Sequence, residues 1–415
     1  MGSFSTPLSG LTSAQQQLQS VSNNLDNIDT NGYKSQTLTF SDIFLQAGVT
    51  NGSGDPVQIG SGVAVSSTNS KFTEGNLNAT GTPSNMAISG NGFFVTQAAD
   101  GTQNYTRAGD FTTNHAGQLV TPSGELVLGY PAVNGVVNPS GTLQPIQVGS
   151  ATSSAVVSTT IGITANLDSD SAIGTTAPSS QLSIYDALGS AHTLSVSYTK
   201  TAAGTWSYTA TVPSADVVAG TTGNTTVGSG ILIFNGSGQL DPTSTLGAIS
   251  IPTLADGATA PLNLAGPFGT LAKPTITQTA MASATSAATT DGLASGTLAN
   301  SNFTVQSDGT IQGAFTSGAT LALGQVAVAS FANYQGLTNL GSNEYQASAA
   351  SGSAVIGQAG TGGRGTIVGG NVEQSNVDIA TEFAKLIVAQ QAYSANAKSI
   401  TTFNTLSQAT LAMIQ

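Results

Sequence analysis

Apolar residues recur every seven positions at both ends of this chain, and nothing between the ends repeats the pattern. Near the N-terminus Phe4, Leu11, Leu18 and Leu25 form one row, with Ala14, Val21 and Ile28 three residues behind its last three members. Near the C-terminus Ile379, Leu386, Tyr393, Ile400 and Ile414 form a row broken at Ser407, and Phe383, Ala397 and Leu411 form a second. Phe403 belongs to the same terminal apolar set. This spacing places the groups in a stripe along a helix, and two such stripes bury each other as a coiled coil. The first and last segments are therefore predicted to be mates, with the middle of the chain looped out. That architecture suits polymers and shafts more than enzymes.

Ser5-Thr6-Pro7 reads as a helix start, and Asn31-Gly32 as its left-handed stop. The helix between them would be roughly 36 Å long. Its other face is Gln15, Gln16, Gln17, Gln19, Ser20, Ser22, Asn23 and Asn24. Such a face is either solvated or, without the usual Lys and Glu, packed on other copies or lining a neutral channel. Ser375 and Asp378 make a capping-box-like start for the final helix, roughly 58 Å if unbroken.

Between the helices the periodicity changes to two. Met86-Ala87-Ile88 and Phe93-Phe94-Val95 flank Gly90-Asn91-Gly92, and glycine turns punctuate the chain to about Ser150. Leu194, Val196 and Tyr198 alternate, turn at Ala202-Ala203-Gly204, and resume at Trp206 and Tyr208. Short strands at this spacing predict antiparallel β domains. The style of 71–150 returns at 290–351 on either side of a Ser, Thr, Ala and Gly-rich stretch. The expected fold is multidomain: paired terminal α-helices of coiled-coil kind plus two mainly antiparallel β domains, the outer inserted into the inner. Residues 1–32 and 371–415 are the helical core, 33–70 and 352–370 connecting segments, 71–150 and 290–351 the inner β domain, and 151–289 the inserted outer one.

Composition narrows the function. Charged residues make up 7% of the 415, and the net charge is −12 with eight Lys and Arg. A basic footprint for nucleic acid or anionic lipid is missing. No stretch approaches the ~20 apolar residues of a membrane span, so no membrane insertion is expected. The N-terminus lacks the basic start and apolar run of a secretory signal. With no cysteine, disulfides and thiolate chemistry are ruled out. Gly360-Thr361-Gly362-Gly363-Arg364-Gly365 fits GxGxxG, yet no helical pattern follows it, so it reads as a linker. His115 and His192 lack a nucleophile elbow, and the acidic residues lack EF-hand spacing. No enzyme, catalytic residue, metal site or cofactor is expected.

Ser22-Asn23-Asn24-Leu25-Asp26-Asn27-Ile28-Asp29-Thr30-Asn31-Gly32-Tyr33-Lys34 resembles the N-terminal signature of bacterial flagellar rod and hook axial proteins. Glu373-Gln374-Ser375-Asn376-Val377-Asp378 with Phe383, Ile387, Gln390, Tyr393, Asn396-Ala397-Lys398 and Ile400 is similar to their C-terminus. Ser89 to Val95 with Tyr105-Thr106-Arg107 resembles their first β domain. Asp26 stands where the family usually has alanine. The ~140-residue insertion, with Asn166-Leu167-Asp168, Tyr185 to Gly189 and His192-Thr193-Leu194, looks like the hook members' outer domain. The resemblance implies a structural subunit of the hook, a helical tube acting as a universal joint between motor and filament. It also implies export through the flagellar type III apparatus, and as partners further copies of itself, the distal rod, the hook cap and a hook–filament junction protein. A distal-rod or junction role, and more remotely a secreted adhesin, stay open at this level.

Overall fold

The structure, a computed structural model, describes residues 5–50, 56–149, 151–218, 221–270 and 273–413. Phe4 and Ile414 of the terminal rows lie outside the described residues. The chain forms two compact units: residues 1–149, 303–313 and 322–415, and residues 150–302 and 314–321. Among the described residues the α-helices are α1 (Ser5–Asp26) and α3 (Ile379–Ala412) in the first unit and the single turn α2 (Ser214–Val217) in the second.

Helix α1 begins where Ser5-Thr6-Pro7 predicts but stops before Asn31-Gly32. The Asn27 side chain donates to the Asn23 carbonyl at 2.8 Å and accepts from the Thr30 hydroxyl at 3.1 Å. These local bonds compete with the helical ladder and replace it with turns. Ile28, expected on the helical stripe, therefore sits beyond the helix. The left-handed residue is where the pattern puts it, Gly32 at φ 71°. Helix α3 is capped by Asp378, whose carboxylate accepts from the Thr381 N–H at 2.6 Å, and Ser375 lies outside it. Its 34 residues make it about 51 Å long.

Residues 33–70, read as a connecting segment, are mostly a long antiparallel hairpin of Gln36–Thr50 and Pro56–Ser70. Leu38 and Phe40 alternate with Thr37, Thr39 and Ser41, and Phe40 faces Val65 across the pair. The glycine content masked this alternation in the sequence. Residues 352–370 likewise contribute strands Val355–Gly357 and Thr366–Gly369, which pair with Val328–Ser330 and Met86–Ser89. The GxGxxG run is the loop between those two strands.

The β body of the first unit centres on Phe93–Gln97, which pairs antiparallel with Gln103–Thr106, Leu126–Val133 and Val328–Ser330. Its core is aromatic: Phe93 meets Phe72 at 5.6 Å, Tyr345 at 5.6 Å and Phe331 at 6.0 Å between ring centroids, all edge to face.

In the second unit Thr176–Tyr185, Ala191–Ala202, Thr205–Pro213 and Asn224–Ile233 form an antiparallel meander. A three-stranded sheet places Ile161–Asp168 between Ala284–Thr290, antiparallel, and Ile276–Thr279, parallel. Trp206, Tyr198, Tyr208 and Phe268 are buried in one core, as the alternation around Trp206 predicts. Asp291 ties this unit's chain ends together, accepting from the N–H groups of Thr159 and Thr160 at 2.9 Å each and the Thr159 hydroxyl at 2.6 Å.

Partial burial raises the Asp291 pKa, but these three donors outweigh it and hold the carboxyl well below the usual carboxylate range. Its stabilisation is present above pH ~4 and is lost as pH falls below that. Solvent screening limits the contribution to about 1 kcal/mol. Asp291→Asn is expected to lower the melting temperature of the second unit at pH 7 and to flatten its acid limb. Calorimetry of the full chain between pH 2 and 7 checks this.

Candidate assembly site

The two family-like motifs meet at one buried carboxylate. Glu373, fully buried, receives the Lys34 ammonium on Oε1 at 2.5 Å and the Arg107 guanidinium on Oε2 at 3.2 Å. The Gly75 N–H also donates to Oε1, at 2.8 Å. Lys34 donates further to the Thr73 carbonyl at 2.9 Å, and Arg107 to the carbonyls of Ile88 and Gly90 at 3.2 and 2.7 Å. The Arg107 guanidinium also lies over the Phe93 ring, 5.5 Å from its centroid. One carboxylate thus joins the segment after α1, the strand before α3 and the β body. The Glu373 backbone repeats the connection, its carbonyl accepting from the Gly32 N–H at 2.7 Å. Glycine is required at position 32, because at φ +71° a Cβ would sit 2.4 Å from the Ala108 nitrogen. Burial, reinforced by the Arg107 charge, lowers the Lys34 pKa against the opposing pull of Glu373.

A second polar hub lies at the end of α1. Buried Asn24 accepts from the Tyr33 hydroxyl at 3.1 Å and the Gln36 N–H at 2.9 Å. It donates to the Gln36 carbonyl at 2.8 Å and to Glu382 of α3 at 3.2 Å. Asn23 donates to the Tyr33 hydroxyl at 3.2 Å. Asn376 accepts from the Ser35 N–H at 2.8 Å and donates to the Lys71 carbonyl at 2.6 Å. Asn23, Asn24, Asn27, Gly32, Tyr33, Lys34, Asn376 and Asp378 thus all have structural partners. Ser375 and Val377 lie in the half-buried connection between them.

Helices α1 and α3 are antiparallel, since Asn24 meets Glu382 while Gly10 meets Asn396. A Cβ on Gly10 would lie 2.8 Å from the Asn396 amide oxygen, so the helices approach closely there. The buried positions are Pro7, Ser13, Ala14, Val21 and Asn24 on α1, and Glu382 and Ala389 on α3. This differs from mutual burial of the large apolar rows. Leu11, Leu18, Leu25, Ile28, Leu386, Ala397 and Ile400 are half-buried. Ile379, Phe383, Tyr393, Phe403 and Leu411 are exposed. Small and polar groups suffice between the helices because α1 is also held from another side by the hairpin, where Ser9 accepts from the Val63 N–H at 3.2 Å. The large groups left exposed are mostly those of α3.

Sequence reasoning assigned no role to Glu373, Arg107 or Glu382. The pairing of Arg107 with Glu373 spans 266 positions, which no local pattern reveals. One usable signal was scarcity: with eight Lys and Arg in the chain, each basic residue inside a motif asks for a partner.

Four family models match the chain in succession. They are the flagella basal body rod protein model over 4–34, the flagellar hook protein FlgE/F/G D1 domain over 87–165, the flagellar basal body protein FlaE D2 domain over 138–293, and the C-terminal model of the FlgEFG basal body rod proteins over 368–413. The flagellar hook protein FlgE of Salmonella typhimurium is 33% identical over 414 residues, covering 96% of this chain and 97% of the relative. That of Treponema pallidum is 31% identical over 466 residues, covering 100% and 99%. The crystal structure of Helicobacter pylori flagellar hook protein FlgE2 aligns with 72% of this chain and 99% of its own at 15% identity, with a TM-score of 0.48.

Removing one partner of a buried ion pair leaves an uncompensated charge, at a cost of about 3–5 kcal/mol. Glu373→Gln, which strands both Lys34 and Arg107, is expected to destabilise the first unit by that amount in urea denaturation; a change under about 1 kcal/mol would contradict the geometry. Burial, and then the Glu382 carboxylate, push the Tyr33 pKa up to about 12. Its neutral form therefore contributes stability that is fully present below pH ~10 and is lost as pH rises through 12. Tyr33→Phe should remove one high-pKa phenol from the ultraviolet titration and reduce the alkaline loss of stability.

Proposed function

We propose, on the premise that this chain belongs to the flagellar hook protein family and is a structural subunit of the bacterial flagellar hook, that the terminal helices of many copies pack into the stiff lining of a helical tube. The observation that carries this reading is the outward face of α3. Ile379, Phe383, Ile387, Val388, Leu406 and Leu411 are each more than half exposed. Burying one such side chain contributes roughly 1.5–3 kcal/mol. A helix apolar around its circumference needs cover on several sides, and identical neighbours supply it. Such contacts are heterologous, head to tail, and propagate instead of closing.

In this reading residues 1–32 and 371–415 are the polymer core, and 33–70 and 352–370 carry its attachments to the β body of 71–150 and 290–351. The insert 151–289 supplies a separate β domain whose Ser, Thr and Ala surfaces slide past neighbours with shallow energy differences. A stiff lining with sliding outer layers is a universal joint: it bends while transmitting torque from rod to filament. The subunit leaves the cell through the flagellar type III channel and meets the distal rod at one end of the tube, the hook cap during growth and a junction protein at the other end. Its role is structural, without catalysis or cofactor. Among the described residues no helix is long and apolar enough to cross a membrane.

The combined substitution of Phe383→Ser and Leu406→Ser changes only surface positions of the single chain, so its folding stability should move by about 1 kcal/mol or less. The same change is expected to abolish sedimentable tubes in vitro and hooks on cells. Normal tubes from this variant would refute the proposed contacts.

A further inference from the structure

Away from the terminal helices, the second unit gathers three carboxylates around one imidazole. His192, 5% exposed, lies on the strand Ala191–Ala202 directly across from Ile184, and Asp186 follows that neighbouring strand in the turn. His192 Nε2 is 3.2 Å from Asp186 Oδ2 and 4.0 Å from Asp256 Oδ2. On the other side of the ring, Nδ1 faces Asp216 Oδ2 at 3.2 Å. That contact is off the N–H axis, and buried Nδ1 has no hydrogen-bond partner among the described residues.

Two of the carboxylates are fixed by backbone donors on one oxygen, which leaves the other turned toward the imidazole. Asp186 Oδ1 accepts from the N–H groups of Leu188 and Ser190 at 2.8 and 2.9 Å, leaving Oδ2 toward the ring. Asp256 Oδ1 accepts from the Ala258 N–H at 3.1 Å, again leaving Oδ2. The loop carrying Asp256 is fastened to α2 by the Ala255 N–H on the Asp216 carbonyl at 2.8 Å. The side chains of Asp216 and Asp256 are 27% and 30% exposed, which gives an ion a way in.

We propose that Asp186, His192 and Asp256 bind one divalent transition-metal cation, of the zinc kind, with Asp216 orienting the imidazole. The three donor atoms lie within 4.8 Å of one another. Metal–ligand distances of about 2.0–2.1 Å in a tetrahedron require donors about 3.3 Å apart. The separations of 3.2 and 4.0 Å from Nε2 bracket that edge, so a small movement of the Asp256 loop completes the site. A nitrogen donor among few oxygens favours zinc and its neighbours over calcium, which takes six to eight oxygens. Binding also resolves the orphaned atom. The metal takes the Nε2 lone pair, the ring then carries its proton on Nδ1, and Nδ1–H turns to Asp216 in a carboxylate–histidine–metal relay. Three carboxylates converge on one imidazole, and a divalent cation would offset two of their negative charges. Sequence spacing concealed the site, because Asp256 lies 64 positions beyond His192 and on another element.

The test is zinc titration of the full chain by calorimetry at pH 7, after treatment with a chelator, with cobalt absorption as the geometric readout. One zinc per chain is expected with a Kd of about 10 μM or tighter. The intense visible bands of tetrahedral cobalt should accompany it. Asp256→Asn, on a half-open loop, should weaken binding at least tenfold, and Asp216→Asn by about tenfold through the ring's orientation. His192→Gln should abolish it. The proposal is overturned if the parent chain takes up no zinc at 100 times that Kd. It is also overturned if Asp256→Asn and His192→Gln bind unchanged, or if binding is lost in His115→Gln instead.

Discussion

A single carboxylate holds the two ends of this chain in register. Glu373 is buried with two cations and a backbone N–H on it, and those partners come from three separate stretches of sequence. Desolvating such charges costs several kcal/mol per ion, so the arrangement persists only because every oxygen is used. Its return is specificity of placement more than raw stability. The residues after α1 and before α3 have one way to fit, and the helix pair leaves the β body in a defined direction. Asn24 extends the constraint into the helices, bonding Glu382 across the pair and the chain at Gln36 alongside it.

With position set by polar groups, the large apolar residues of the helices are released for another use. Between α1 and α3 the contacts include Gly10 against Asn396 and Asn24 against Glu382, which permit close approach. Phe383, Ile387, Leu406 and Leu411 are each more than half exposed. A soluble single protein would gain nothing from this arrangement, since exposed apolar patches of that kind mark interaction surfaces. In the proposed assembly the division is sensible: polar contacts define the protomer, and the exposed apolar groups are left for contacts between copies. The low charge of the whole chain fits the same scheme, because surfaces covered by neighbours have no need of Lys and Glu.

Local signals in the sequence were read with some accuracy. The start of α1, the left-handed glycine at 32 and the strand alternation around Trp206 each depend on residues within a few positions of each other, while the cap of α3 fell on Asp378 and left Ser375, its expected box partner, outside the helix. What escaped depends on long separations or on competition. The seven-residue rows revealed helices but not which face meets which, since the same row serves a partner helix or a neighbouring copy equally well. Ile28 fell beyond the helix because the Asn27 side chain takes the Asn23 carbonyl and the chain continues in turns, with the Ile28 N–H on the Leu25 carbonyl. The hairpin of 36–70 was hidden by glycine and serine, which weaken the apparent period without preventing pairing. The ion cluster at Glu373 and the carboxylates around His192 belong to tertiary structure alone, and neither has a spacing that can be read from the chain.

The central claim is that polar contacts within the protomer orient apolar contacts between protomers. Cryo-electron microscopy of the assembled tube at side-chain resolution tests it most directly. The account predicts Glu373 bonded to Lys34 and Arg107 of its own chain, with Phe383, Ile387, Leu406 and Leu411 each buried against neighbouring copies. A tube in which those four side chains face open solvent, or in which the Glu373 cluster is broken, would contradict it.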